Sequence, residues 1–256
     1  ERTATLLGYY AAEGFARAQE TPKGTVHQTT ICGTETEAQE FFLDVLEDEF
    51  DVDPYVENHA KVTVSGRLLR AFFDTVLDAR SRAHTKRVPQ CIFDAPDSIV
   101  GAYLGGYFSG DGSVDAQSPR IEGTTVSEEL KSDVVALLSR LGITARTRTR
   151  EPRPLSEQFP EFYAESDESV SRPCHKIQLS REDAVKFDQR VALHLSRKRE
   201  RLRETVSATS VGTNPAYAFD GGTDDFLLDP VAETTLEPSA ADHVYMACPV
   251  IATPCE

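Results

Sequence analysis

Tryptophan is absent from this sequence of 256 residues, methionine occurs once, and only seven of the 27 basic residues are lysines. No stretch approaches the roughly 20 consecutive apolar residues that span a bilayer, and the first residues do not read as a signal peptide. The five cysteines include no CxxC pair and no histidine at zinc spacing, which excludes a zinc ribbon and a disulfide framework. We therefore expect a cytoplasmic protein with reduced thiols and no membrane partner.

Negative charge is in large excess, because 42 acidic residues face 27 basic ones and the formal charge is −15. Such an acidic chain with little lysine is typical of proteins that work in molar salt, which predicts a halophilic source. Nucleic-acid-binding domains usually carry a basic surplus, and high salt weakens contacts to phosphate. Any DNA-binding surface must therefore be a local basic region of an otherwise acidic protein.

A nine-residue motif occurs twice. Residues 6–14 read LLGYYAAEG and residues 104–112 read LGGYFSGDG, so the two acids, Glu13 and Asp111, lie 98 positions apart. Each copy is predicted as a helix whose terminal glycine, Gly14 or Gly112, adopts a left-handed C-cap. A single copy is better explained as an ordinary amphipathic helix that ends in glycine. Two copies with similar flanking segments favour a functional pair.

The segments after the two motifs follow the same order of strand and helix. After the first motif we predict strands at 25–30 and 60–64 and helices at 35–50 and 68–77. After the second we predict strands at 120–125 and 175–179 and helices at 127–141, capped by Ser127, and 181–193. In the helix at 68–77 the residues predicted to point inward are Leu69, Phe72, Phe73 and Val76. Because no linker-like composition separates the halves, we expect them to pack as one body.

Small residues recur four positions apart in each motif, as Gly8 and Ala12 and as Gly106 and Gly110. Residues at this spacing share one face of a helix, and small side chains there allow two helices to approach closely. The aromatic residues of the motifs are then free to fill the core of their own half; they are Tyr9, Tyr10, Tyr107 and Phe108.

Paired motif helices would bring Glu13 and Asp111 together. Two carboxylates at the negative ends of helices repel each other unless a cation neutralises them. Magnesium prefers oxygen ligands, and carboxylates holding such ions are a recurring arrangement for phosphodiester hydrolysis. The motif pair therefore points to metal-dependent phosphoryl chemistry.

The two motifs, the connector at 86–96 and the segment at 195–200 together resemble double-motif LAGLIDADG (DOD-type) homing endonucleases, particularly those within archaeal inteins. The resemblance covers residues 1–205 and implies an α+β fold of two αββαββα repeats, at 1–98 and 99–205. It implies antiparallel sheets forming a saddle over double-stranded DNA. It also implies that a monomer cleaves both strands at one long asymmetric site with Mg²⁺.

The resemblance also assigns residues. Glu13 and Asp111 match the catalytic, metal-binding acids, and Lys86 and Lys198 match the active-site lysines. For Lys198 the alternative is a solvated basic helix end.

DNA-contacting side chains are expected on the saddle strands. The candidates are His27, Gln28, Thr29, Thr30, Arg120, Arg146, Arg148 and Arg150. Strand alternation places Arg146, Arg148 and Arg150 on one face; the alternative is an edge strand guarded by charge.

Residues 206–256 resemble the beginning of the C-terminal splicing region of inteins, and we expect a short β remnant there. The sequence ends without the residues of intein splicing, so we expect a piece of an intein that has lost its splicing parts. Two alternatives stay open. One is a catalytically inactive, DNA-binding remnant with the same fold. The other is an unrelated acidic α/β enzyme, which is disfavoured because no P-loop, Ser-His-Asp signature or metal-spaced histidine pair occurs.

Overall fold

The computed structural model describes residues 1–115, 120–158 and 170–211. The first half forms seven successive elements around one antiparallel sheet with the strand order β1-β2-β4-β3. They are α1 (Arg2–Glu13), β1 (Gly14–Thr21), β2 (Gly24–Cys32), α2 (Thr36–Phe50), β3 (Tyr55–Glu57), β4 (Lys61–Ser65) and α3 (Arg67–Ala71), which continues as a π-helical turn at Phe72–Val76.

A connector with a 3-10 turn at Ala83–Thr85 and the short helix α4 (Gln90–Phe93) leads into the second half. Its sheet has the order β5-β6-β8-β7, which is the order of the first sheet. The elements are α5 (Asp97–Gly110), β5 (Ser113–Asp115), β6 (Arg120–Thr125), α6 (Glu128–Arg140), β7 (Ala145–Arg150), α7 (Leu155–Gln158), β8 (Cys174–Leu179), α8 (Arg181–Arg190) and α9 (Ser196–Val211). Both halves thus follow αββαββα, as the resemblance implied, with α7 and α9 in addition.

Several element boundaries differ from the prediction. Strand β1 carries mostly exposed residues without apolar alternation, so the sequence gave no periodic signal for it. Val76 is 68% exposed, and its predicted inward orientation is wrong. Val76 is the last residue of the π-helical turn, which is wider than an α-helical turn and so departs from the periodicity on which the prediction relied. Helix α9 runs past residue 205, and the predicted β remnant lies largely at residues 212–256, outside the described residues.

The core of each half lies between one face of its sheet and its helices. Ile31, Val62 and Val64 supply the sheet side in the first half. The motif helices contribute aromatic side chains, each to its own half: Tyr9 packs edge-on against Phe42 at 4.8 Å between ring centroids. Two further aromatic pairs pack in the same way: the ring centroids of Tyr10 and Phe73 are 4.7 Å apart, and those of Phe108 and Phe187 are 5.1 Å apart. The predicted role of the motif aromatics is confirmed.

Helices α1 and α5 contact each other through their main chains. A Cβ atom added to Gly8 would lie 2.0 Å from the carbonyl oxygen of Tyr103, and one added to Gly106 would lie 2.0 Å from that of Thr5. Gly8 and Gly106 are equivalent under the 98-residue repeat, as are Thr5 and Tyr103. The contact is therefore reciprocal, as in a twofold interface. The predicted close pairing of the two helices is confirmed.

The glycines that end the motifs do not adopt the predicted left-handed conformation. Gly14 has φ −91° and ψ 156°, and Gly112 also lacks a positive φ. Crowding explains both residues instead. A Cβ atom on Gly14 would lie 2.2 Å from Cδ2 of Tyr10, and one on Gly112 would lie 2.2 Å from the carbonyl oxygen of Phe108. The chain passes so close to its own motif helix here that no side chain fits.

None of the helices in the described part of the chain is both long and apolar enough to cross a membrane.

Candidate active site between the paired helices

The two motif acids lie together where the paired helices end. Glu13 is the last residue of α1, and Asp111 directly follows the last residue of α5. A Cβ atom on Gly110 would lie 2.6 Å from Cβ of Ala12 and 3.4 Å from Cγ of Glu13, so the helix ends are in contact. Burial raises the pKa of Asp111 well above its usual value, and the charge of Glu13 and a hydrogen bond between the two carboxyls raise it further. The pair is a site of unfavourable negative charge.

Lys86 is bonded to the end of α1. Its Nζ donates hydrogen bonds to the carbonyl oxygens of Tyr10 at 2.9 Å and Ala12 at 3.3 Å, and the residue is 4% exposed. Burial lowers the pKa of Lys86 to about 8, although Asp111 and Glu13 act in the opposite direction.

Lys198 occupies the equivalent position at the end of α5. Its Nζ donates to the carbonyl oxygens of Phe108 at 3.2 Å, Ser109 at 2.5 Å and Gly110 at 3.0 Å. The residue is 5% exposed, so the alternative of a solvated basic helix end is wrong. Burial lowers its pKa to about 8, with a further lowering from Arg197.

The two lysines differ in their remaining capacity to donate. An ammonium group has three N–H donors. All three are engaged at Lys198, whereas Lys86 has two bonds among the described residues. One donor of Lys86 therefore stays available to another acceptor near the carboxylate pair.

Each lysine-bearing segment is held by the opposite half. Ser127, the N-cap of α6 in the second half, donates its hydroxyl to the carbonyl oxygen of Lys86 at 2.6 Å and accepts from the N–H of Leu130. In the reverse direction, the amide and hydroxyl of Ser196 donate to Glu37 of α2 at 2.9 and 2.7 Å. The halves thus exchange supporting contacts.

The donor set suits a hard divalent cation. Glu13 and Asp111 offer carboxylate oxygens. Burial and the charge of Glu13 raise the pKa of Asp111 even though Lys86 and Lys198 act in the opposite direction, and a bound cation would favour the ionised pair. No cluster of three or more histidine, cysteine or acidic side chains occurs in the described ranges. A hard divalent cation such as magnesium commonly keeps several waters and binds through one or two carboxylates plus substrate phosphate.

The sheet face of the second half that lies opposite its core is strongly polar, and we call it the second polar face. Strand register aligns β7 with β8 and β8 with β6, so opposite residues share this face. Its described members are Ser113, Asp115, Arg120, Glu122, Thr124, Arg146, Arg148, Arg150, Cys174, Lys176 and Gln178. The three arginines of β7 do share one face, as predicted.

The corresponding first polar face carries fewer charges. Its main polar members are Arg17, Gln19, Gln28, Tyr55, Glu57, Lys61, Thr63 and Ser65. Arg17 donates to Gln28 at 2.8 Å, and Gln28 donates to the hydroxyl of Tyr55 at 3.1 Å.

The remaining DNA-contact candidates in β2 do not lie exposed on the first polar face. His27 points to the opposite face, where Nδ1 is 3.0 Å from the guanidinium of Arg70, because neighbouring strand residues alternate. Thr29 lies on that same core-side face and is buried. Thr30 lies on the first polar face but is 2% exposed, because its hydroxyl bonds to that of Thr63 at 3.0 Å.

Sequence reasoning missed Arg17, Tyr55, Lys176 and Gln178 as members of the polar faces. Each becomes visible only once the strand register is known, since none stands in a recognisable motif.

Comparison with known proteins finds one matching family model and several relatives of similar sequence. Residues 98–192 match the family model described as LAGLIDADG-like domain. The chain is 30% identical over 260 residues to the DNA polymerase II large subunit of Haloquadratum walsbyi, covering 96% of this chain and 11% of that protein. It is 41% identical over 80 residues to the probable translation initiation factor IF-2 of Thermococcus kodakarensis, covering 31% of this chain and 7% of that protein.

A solved structure, that of I-DmoI in complex with DNA and Mn, superposes with a TM-score of 0.53 at 14% identity. The match covers 75% of this chain and 96% of that one. The fold is thus similar to that of a homing endonuclease, and the chain spans about a tenth of the length of the polymerase that it matches.

Proposed function

We propose that the chain is a LAGLIDADG-type, site-specific endonuclease that cleaves both strands of double-stranded DNA with a divalent cation, supported by the family-model match and by the similar fold. One observation supports this proposal above the others. Two carboxylates from symmetry-related helices face each other, and a buried lysine is bonded to the end of each helix. We further propose that the protein acts as a monomer, because both halves of the site lie in one chain. We propose a cytoplasmic location as well.

Glu13 and Asp111 would hold the cation, with magnesium as the preferred ion because all donors are oxygens. Such an ion supplies charge stabilisation at the phosphate and lowers the pKa of bound water. The carboxylates fix its position relative to both helix ends. Strand β1 begins directly after Glu13 and β5 begins two residues after Asp111, so the sheet of each half starts next to this point.

Lys86 is proposed to contact the scissile phosphate through its free N–H donor, where a positive charge stabilises negative charge developing on phosphate oxygens. Lys198 is proposed to be a positioning residue that holds the end of α5, because its three donors are engaged.

Exchange of each lysine for methionine tests this division. We expect Lys86→Met to slow single-turnover cleavage about 100-fold, as for loss of one preorganised donor. We expect Lys198→Met to lower the free energy of unfolding more strongly, by about 1–3 kcal/mol, because three buried carbonyls lose their donor. Cleavage of bound DNA and urea denaturation provide the two readouts. The opposite assignment, with Lys198→Met inactive but fully stable, would contradict the division.

We also propose that the chain is a DOD-type endonuclease module that is inserted in a longer host protein as part of an intein. The related segments lie in a DNA polymerase subunit and in a translation initiation factor, and account for a small part of each. A module that occurs in proteins of unrelated chemistry is typical of a mobile insertion. The charge of −15 supports a halophilic source.

The test of the main proposal is a cleavage assay. The full chain is purified in high salt and incubated with Mg²⁺ and two substrates: fragmented genomic DNA of its source, and the polymerase II large-subunit coding sequence without this module. New ends are mapped by sequencing, next to the Glu13→Ala/Asp111→Ala variant. We expect defined ends in the unmodified sample alone.

Two other results would carry a different meaning. Defined ends produced equally by the double variant would point to a contaminating nuclease and remove the support for the acid pair. DNA binding without any cleavage, together with no Mg²⁺ binding, would overturn the proposal in favour of the inactive DNA-binding form.

A further inference from the structure

The charges on the two polar faces are distributed unequally. On the second polar face, Lys176 forms an ion pair with Glu122, and Arg120 lies opposite Asp115 in register. Within the described part of the chain, Arg146, Arg148 and Arg150 have no carboxylate partner. These three exposed side chains on the edge strand β7 therefore form a row of positive charge that has no carboxylate partner among the described residues.

The first polar face lacks such a row. Lys61 lies opposite Glu57 in register, so these two charges offset each other. Arg17 is hydrogen-bonded to Gln28 and supplies one remaining positive charge. The other polar groups on this face are neutral amides and hydroxyls, including Gln19 and Tyr55.

The connector adds further cations near the second half. The pKa of His84 is lowered by its burial and by the positive charges of Arg172 and Arg82, so these three groups are neighbours. Arg172 lies two positions before Cys174, the first residue of β8, which pairs with Arg150. The positive region thus continues from the end of β7 towards the connector.

From this distribution we infer that the second half is the electrostatic anchor for DNA, and that the first half contacts DNA mainly through neutral groups. The inference rests on the proposed function and assigns different tasks to the two sides of the same site. Phosphate neutralisation supplies affinity that depends on salt, whereas neutral donors and acceptors read base edges. Association would begin at the second polar face, because the rest of this acidic protein repels DNA.

The salt dependence of DNA binding tests this assignment, because it reports how many phosphates are neutralised by protein cations. Each phosphate neutralised by a protein cation contributes a slope of about −0.9 to the plot of log affinity against log salt. If the β7 arginines each neutralise a phosphate, their removal reduces the slope by about 2–3.

The experiment uses the full chain and a fluorescently labelled duplex of mixed sequence, without divalent cations, over a series of KCl concentrations. The variant Arg146→Gln/Arg148→Gln/Arg150→Gln is compared with Arg17→Gln/Lys61→Gln, which changes the first polar face. We expect a slope reduction of about 2–3 for the first variant and of at most about 1 for the second. Thermal unfolding verifies that both variants are folded, which the exposure of the β7 side chains favours.

Equal slope changes for the two variants, or an unchanged slope for the β7 variant, would overturn the inference. An unchanged slope with new self-association on size exclusion would show instead that the arginines protect an edge strand. DNA binding with the expected slopes but without Mg²⁺-dependent cleavage would retain the inference and reject the nuclease proposal. If the unmodified chain binds no duplex at any salt concentration, both proposals fail.

Discussion

The Asp111→Asn protein is expected to unfold at a higher temperature than the unmodified protein while losing at least about 100-fold in cleavage. The pKa of Asp111 is raised by burial and by Glu13, so its ionised form is unfavourable in the folded state at neutral pH. Asparagine has the same shape without the charge, which removes the repulsion. It also removes a carboxylate that the cation requires, and metal-dependent charge stabilisation is a large part of phosphoryl-transfer catalysis.

The size and pH dependence of the stability gain follow from the direction of this shift. Relief of about 1 kcal/mol corresponds to a rise of about 2–4 °C in a protein of this size. A carboxyl with a raised folded pKa destabilises the protein progressively as the pH rises above its unfolded pKa, fully so above the folded pKa, and is without effect where it is protonated in both states. The gain should therefore be present at pH 7 and disappear below the unfolded pKa of about 3.9.

Differential scanning calorimetry without divalent cations at pH 7 and pH 3.5 measures the stability, and a cleavage assay measures the activity. Asp44→Asn is the matched control, since it removes the same charge from an exposed position of α2. A lower unfolding temperature for Asp111→Asn than for Asp44→Asn at pH 7 would show that Asp111 stabilises the fold, against this account of the site.

Alanine at position 106 is expected to destabilise the protein by about 3 kcal/mol or more, since overpacking already costs about 1–3 kcal/mol where side chains can adjust. The new Cβ atom would lie 2.0 Å from the carbonyl oxygen and 2.9 Å from the carbonyl carbon of Thr5. These are main-chain atoms in the middle of α1, so no side-chain rotation relieves the clash. The two helices have to separate, which also moves Glu13 away from Asp111.

Gly66→Ala is the control, because nothing lies within 4 Å of a Cβ atom there and φ is −179°. It should cost less than about 1 kcal/mol, as expected for a change at a helix N-cap. Urea denaturation in high salt compares the two proteins. Similar unfolding midpoints would mean that α1 and α5 pack less tightly than their main-chain contact indicates.

The sequence predicted those parts of the site that depend on local sequence motifs and on the alternation of residues within one strand. The paired motifs located Glu13 and Asp111, and alternation placed the arginines of β7 on one face. Lys198 was only a weak match, because the spacing between helix and lysine differs in the two halves. Its burial depends on Ser196 and Arg197 contacting Glu37 and Glu35 of the other half, which are contacts between distant positions.

The errors have equally physical causes. The left-handed conformation predicted for Gly14 and Gly112 assumed that glycine follows a helix because it can adopt a positive φ. At these two positions glycine is required because there is no space for a side chain. His27 and Gln28 were both DNA-contact candidates although neighbouring strand residues point to opposite faces, because the sequence does not show which face is which; pairing with β1 and β4 fixes that. The width of the π-helical turn, which exposes Val76, leaves no mark in apolar periodicity.

The reciprocal contact between Gly8 and Gly106 has the geometry of an interface between two identical subunits, yet both helices lie in one chain. A symmetric dimer of identical halves would have to carry the same charges on both arms, and it would be matched to palindromic sequences. Because both halves lie in one chain, the side chains of each half can change independently. The paired helices α1 and α5 still hold Glu13 and Asp111 next to each other. The row of arginines on β7, which has no counterpart on the equivalent strand β3, is a divergence that two identical subunits cannot display, and it suits a target whose two ends differ.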